Sequence, residues 1–111
     1  MDLVGPAFAK EIFFVARQFD ASEAAAMGLV NRVVEPPELE DLVREYCRRI
    51  AANAPLTIRA VKTIVGELCK DESARDLELC RAVVRDCFES DDYVEGQAAF
   101  MGKRRPKFRG R

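Results

Sequence analysis

The chain has 111 residues, of which 49% are hydrophobic and 33% charged; this size fits one small domain or part of a larger one, and the composition argues against disorder. No apolar run approaches the roughly 20 residues that a membrane-spanning helix needs, and the start, Met1-Asp2-Leu3-Val4-Gly5-Pro6, lacks the basic-then-apolar order of a signal peptide. The formal net charge of -1 hides an asymmetry, because residues 103–111, KRRPKFRGR, carry six basic residues and no acid while the rest holds 12 basic and 19 acidic residues.

In chain order the pattern reads as almost all helix. A first helix is expected from about Pro6 to Gln18, with Ala9, Ile12, Phe13 and Ala16 at helical spacing and Pro6 suited to a first turn. Phe14 and Val15 widen its apolar face, so it expects more than one packing partner. A short helix from Ala21 to Met27 follows. Asp20 and Glu23 have capping-box spacing, Ser22 is an alternative cap, and Gly28 suits a left-handed end. Leu29 to Val34 is rich in β-branched residues and reads as a short extended piece before Pro36-Pro37, which is expected to stop regular structure.

A third helix is expected over Glu38–Ala52, with Leu39, Leu42, Val43, Tyr46 and Ile50 on one face. Pro55 opens a fourth, to about Lys70, with Ile58, Val61, Val65 and Leu68 inward. Asp71 or Ser73 could cap a fifth, with Leu77, Cys80, Val84, Cys87 and Phe88 inward. Ser90-Asp91-Asp92 opens a last helix ending near Gly102, and Pro106 and Gly110 keep the tail irregular. The single β-like segment has no partner strand, so it is either a connection or part of a layer whose neighbours lie elsewhere.

The chemical inventory is thin. Histidine is absent, which removes the commonest general base near neutral pH. Neither a Gly-rich phosphate loop nor a zinc motif occurs. Cys47, Cys69, Cys80 and Cys87 show no metal-ligand spacing and read as buried or half-buried thiols of a reducing compartment, and no metal site is expected. Asp91, Asp92 and Glu95 read as a capped helix start rather than an acid/base pair, and Glu11 as a solvated or paired residue at a face edge. For the basic tail three readings stand: a solvated terminus, a site for phosphates on a ligand, or nucleic-acid binding.

The residues also carry a family resemblance. Lys10 to Phe14, Phe19 to Ala24 and Gly28-Leu29-Val30-Asn31-Arg32-Val33-Val34 resemble the enoyl-CoA hydratase/isomerase (crotonase) family. So do Ala52 to Leu56, Ala60-Val61-Lys62, Ser90-Asp91-Asp92, Glu95-Gly96, Ala99-Phe100 and Lys103 to Phe108. The match runs through nearly the whole chain in order.

This resemblance implies a mainly α chain: the helical C-terminal region of a crotonase-like α/β spiral, lacking the ββα core. Residues 1–36 would pack on that core, and residues 37–111 would form a trimerisation and CoA-nucleotide-binding region with the basic tail. The complete enzyme would add water to 2-trans-enoyl-CoA thioesters in fatty acid metabolism. Its oxyanion hole and two catalytic Glu side chains would lie outside this chain. No catalytic residue is therefore assigned, and Glu11, Glu23 and Glu95 do not match the catalytic positions. Lys103 matches the family's basic residue near the CoA phosphates and Phe100 the aromatic near the adenine, whereas Val84 falls where some hydratases place another aromatic. The implied substrate is an acyl-CoA thioester without a prosthetic group. The implied partners are the missing N-terminal core and further copies in a trimer or hexamer, with no nucleic acid or membrane, in the cytoplasm. An enoyl-CoA isomerase fragment and a helical protein-interaction module are the alternatives.

Overall fold

The computed structural model describes residues 2–111. Six α-helices account for most of them, and no strand occurs among the described residues. The chain divides into two compact units, residues 1–43 and 44–111.

The first unit begins with α1, Gly5–Val15, with Pro6 in its first turn. The helix stops three residues before the expected Gln18. Ala16 adopts a left-handed conformation, φ 49°. Arg17 then turns back to pair with Glu11 at 3.1 Å and Glu23 at 2.9 Å. Glu11 is thus a paired face-edge residue, as expected. The two carboxylates raise the Arg17 pKa, the hydrogen bond to Glu11 contributing most.

Helix α2, Ala21–Ala26, starts in the expected capping box. Asp20 Oδ1 accepts from the Glu23 N–H at 2.8 Å, and the Asp20 N–H donates to Glu23 Oε2 at 3.0 Å. Ser22 is not the cap; its hydroxyl donates to Asp20 Oδ1 at 2.7 Å. The Glu23 N–H bond, then that hydroxyl, lowers the Asp20 pKa. The helix closes in a Schellman end. Leu29 N–H reaches Ala24 O, Gly28 N–H reaches Ala25 O, and Gly28 takes φ 76°. Residues 29–35 form an irregular connection rather than a strand. Pro36-Pro37 does not stop regular structure there. It forms a 3₁₀ turn, Pro36–Glu38, that leads straight into α3, Leu39–Ala51, because proline's fixed φ suits a first turn.

The second unit contains most of α3 with helices α4, Pro55–Leu68; α5, Leu77–Phe88; and α6, Asp91–Met101. Helix α4 packs along α5, and α6 packs on α5. The C-terminal end of α4 meets the start of α5 through Glu67, a buried carboxylate that accepts the Asp76 N–H at 2.9 Å and both bonds from Lys70 Nζ, at 2.6 and 2.7 Å. The Asp76 N–H, then the Lys70 ammonium, lowers the Glu67 pKa. The expected caps Asp71 and Ser73 do not open α5. A 3₁₀ turn, Glu72–Ala74, intervenes, and Asp76 caps the helix by accepting the Leu79 N–H at 2.8 Å.

The buried apolar residues are small or flexible: Ala24 and Met27 in the first unit, Ala60 and Ala99 in the second. The expected inward stripes are largely wet. Val61 and Val65 of α4, Leu77 and Phe88 of α5, and Tyr46 and Ile50 of α3 are all exposed. The widest departure is on α1, where Phe13 and Phe14 are 80% and 82% exposed. Alanines at the contacts let helices approach closely, but they remove little apolar area from water. The same lack of cover corrects the reading of the thiols. Cys80 and Cys87 are half-buried, but Cys47 and Cys69 are exposed; all four are free.

Candidate functional site on the last helix and the basic tail

Ser90 starts α6 as expected, with its hydroxyl oxygen accepting the Tyr93 N–H at 3.1 Å. The following acids do not serve the helix start alone. Asp92 is buried, at 4% exposure, and its two carboxylate oxygens accept the N–H groups of Arg109 at 2.6 Å and Gly110 at 2.7 Å. The Asp92 N–H in turn donates to Arg111 O at 3.2 Å. One turn along the helix, Glu95 takes a two-pronged contact from Arg104, at 2.6 and 2.7 Å, and the Lys107 N–H at 2.8 Å.

The tail is therefore clasped along α6. The Arg104 guanidinium, then the Lys107 N–H, holds the Glu95 pKa down to about 2, against 4.5 ordinarily. Arg104 is raised by the same pair. Fork-to-fork geometry of this kind joins charge to directional hydrogen bonding. Phe108 seals the contact by lying over Gly96, with its ring 3.6 Å from where a Cβ would stand. Gly110 adopts φ 76° against Pro55.

The two residues singled out from the sequence sit at the end of α6. Phe100 is 83% exposed and lines an apolar groove of about 580 Å³. The first half of α4, the second half of α5, α6 and Phe108 enclose that groove, so α4 and α5 run antiparallel. Val84 also lines it, and Phe88 meets Tyr93 edge-to-face at 5.0 Å. Lys103 is exposed just beyond the helix and does not line the groove.

The Lys103 backbone is unusual. Its N–H donates to Phe100 O at 3.2 Å and the Arg104 N–H to Ala99 O at 3.0 Å, a Schellman end. That motif places Lys103 in the left-handed position that glycine normally takes, with φ 48°. A side chain there costs about 1–2 kcal/mol.

Among the described residues no group of His, Cys, Asp and Glu is arranged to hold a metal ion. The carboxylates around α6 are occupied by backbone N–H groups or arginine, which leaves no free acid/base pair there. Sequence reading missed the roles of Asp92, Glu95, Arg104 and Phe108. The alternation of KRRPKFRGR, with inward Arg104, Phe108 and Gly110 two or four residues apart, was the available signal.

Residues 1–111 match the enoyl-CoA hydratase/isomerase family model. The chain is 36% identical over 104 residues to methylmalonyl-CoA decarboxylase of Escherichia coli, covering 91% of this chain and 40% of that protein. It is 35% identical over 105 residues to short-chain-enoyl-CoA hydratase of Clostridium acetobutylicum, covering 93% and 40%. In structure it is similar to an enoyl-CoA hydratase from Bacillus anthracis, with a TM-score of 0.88 and 30% identity over 99% of this chain and 43% of that one. It is also similar to an enoyl-CoA hydratase/carnithine racemase from Magnetospirillum magneticum, with a TM-score of 0.84 and 39% identity over 99% and 40%. The chain thus spans about 40% of the length of these relatives. No helix of the described residues is long and apolar enough to cross a membrane.

Proposed function

The chain belongs to the enoyl-CoA hydratase/isomerase family, and from that premise we propose that it serves as the C-terminal helical part of an enoyl-CoA hydratase-like enzyme, whose complete form adds water to a 2-trans-enoyl-CoA thioester. The observation that carries this reading is the uncovered apolar surface. Phe13 and Phe14 stand on α1 with nothing over them, and the stripes of α3, α4 and α5 are half wet. Exposed apolar faces of this extent mark contact surfaces.

In this reading residues 1–36 pack on a ββα core, which supplies the oxyanion hole and the acid/base Glu pair. Residues 37–111 take part in a trimer or hexamer and grip the nucleotide end of CoA. Lys103 contributes a cation to the CoA phosphates and Phe100 an apolar surface to the adenine. The left-handed Lys103 supports its assignment, because strain retained at a non-glycine residue is a pointer to function. The thioester is the substrate, no prosthetic group takes part, and free thiols suit a reducing cytoplasm. The decarboxylase named among the relatives favours a second reading, in which the core directs another reaction on the CoA thioester.

Two assays test the proposal. Hydration of crotonyl-CoA, followed by loss of the conjugated thioester's absorbance, should be absent for this 111-residue chain alone; turnover would overturn the division of labour. In the complete enzyme Lys103→Ala should raise KM for CoA substrates more than it lowers kcat, since the contact is remote from the reacting carbons. An unchanged KM removes Lys103 from the site.

A further inference from the structure

The clasp that holds the tail leaves a second charged feature. A cleft of about 570 Å³ lies between the tail and the first half of α6. Three carboxylates border it, and each is already engaged: Asp92 by two backbone N–H groups, Glu95 by Arg104 and the Lys107 N–H, and Asp91 by Arg111 at 3.6 Å. Arg105, Lys107 and Arg109 border the same cleft, and none of the three forms an ion pair within 4 Å among the described residues. Lys103 does not line it.

We infer that this cleft is a phosphate-binding site, separate from Lys103, in which Arg105, Lys107 and Arg109 receive the phosphoryl groups of a small oligophosphate ligand. The alternation of the tail produces it. Arg104, Phe108 and Gly110 turn inward to Glu95, Gly96 and Pro55, so the intervening cations share the outer side. From Arg105 to Arg109 an extended chain covers about 13 Å, enough for more than one phosphoryl group. Two guanidinium forks flank one ammonium, a set suited to phosphate oxygens.

A merely solvated tail gains nothing from being fixed. Here the backbone between the cations is fixed at Lys107, Arg109 and Gly110 before any ligand arrives, which lowers the ordering cost of binding. This inference does not depend on the catalytic reading above.

Isothermal titration of the 111-residue chain with inorganic tripolyphosphate, and separately with adenosine 3′,5′-bisphosphate, tests it. At least one should bind, and its affinity should fall about tenfold or more in R105Q/K107Q/R109Q, while R59Q, at an exposed cation outside the cleft, leaves it unchanged. The ligand that meets both conditions identifies the source of the phosphate. Circular dichroism should show the triple variant folded, since the clasp uses its backbone N–H groups and not these side chains.

Glu95→Gln separates a built site from general attraction. It removes a negative charge, so general attraction predicts tighter binding, whereas loss of the clasp should weaken binding about threefold or more. Tighter or unchanged binding by E95Q, equal binding by the triple variant, an equal loss in R59Q, or no binding of either probe overturns the inference.

Discussion

Substitution of Lys103 by glycine and by alanine isolates the strain at the end of α6. Both variants remove the ammonium, so the difference between them cancels the charge at the helix C-terminus. Lys103→Ala keeps a Cβ at φ 48°. Lys103→Gly removes it and recovers about 1–2 kcal/mol. Glycine also loosens the unfolded chain, which offsets about 0.4–1 kcal/mol. The net expectation is that Lys103→Gly exceeds Lys103→Ala by about 0.5–1 kcal/mol, or about 2–6 °C in Tm for a chain of this size. Urea denaturation followed by far-ultraviolet circular dichroism, at one fixed protein concentration, measures it. If Lys103→Ala is instead more stable than Lys103→Gly by the roughly 0.4–1 kcal/mol that glycine's flexibility alone costs, the left-handed position carries no strain and gives Lys103 no distinction as a binding residue.

Two further outcomes follow from the tail clasp. Glu95 has a folded pKa of about 2, below its ordinary 4.5, so its contribution is fully present above about pH 4.5 and is lost as pH falls toward 2. Hydrogen exchange at the Lys107 amide should therefore stay protected at pH 5 and lose protection on acidification toward 2; protection lost already at pH 5 would contradict the clasp. Asp92→Ala strips partners from the Arg109 and Gly110 N–H groups, and should cost about 1–3 kcal/mol in denaturant melts and raise proteolysis of the tail. An unchanged melt with a protected tail would count against the buried carboxylate as its anchor.

The features legible in the sequence were those whose partners lie within a few residues. Asp20 with Glu23, Gly28, Pro55 and Ser90 each act over one helical turn, and each took its expected place. The cap of α5 was misplaced because Glu67, nine residues before Asp76, captures the Asp76 N–H and fixes where the helix begins. The acids of α6 looked like helix-start charges because their partners lie up to 18 residues away, in the tail. The inward stripes of α3, α4 and α5 were located by periodicity, but periodicity says only that a face is apolar. It does not say whether this chain or another surface covers it, which is also why Cys47 and Cys69 are exposed.

The alanine-dominated core has a calorimetric consequence. Heat-capacity change on unfolding follows the apolar area newly exposed to water, and much of that area is already wet around Phe13, Phe14, Phe88 and Phe100. The isolated chain should unfold over a broad range, with a shallow dependence on denaturant. Any surface that covers those rings will sharpen the transition and make its midpoint rise with concentration. Cooperativity would then belong to the assembly, with each chain acquiring it on contact.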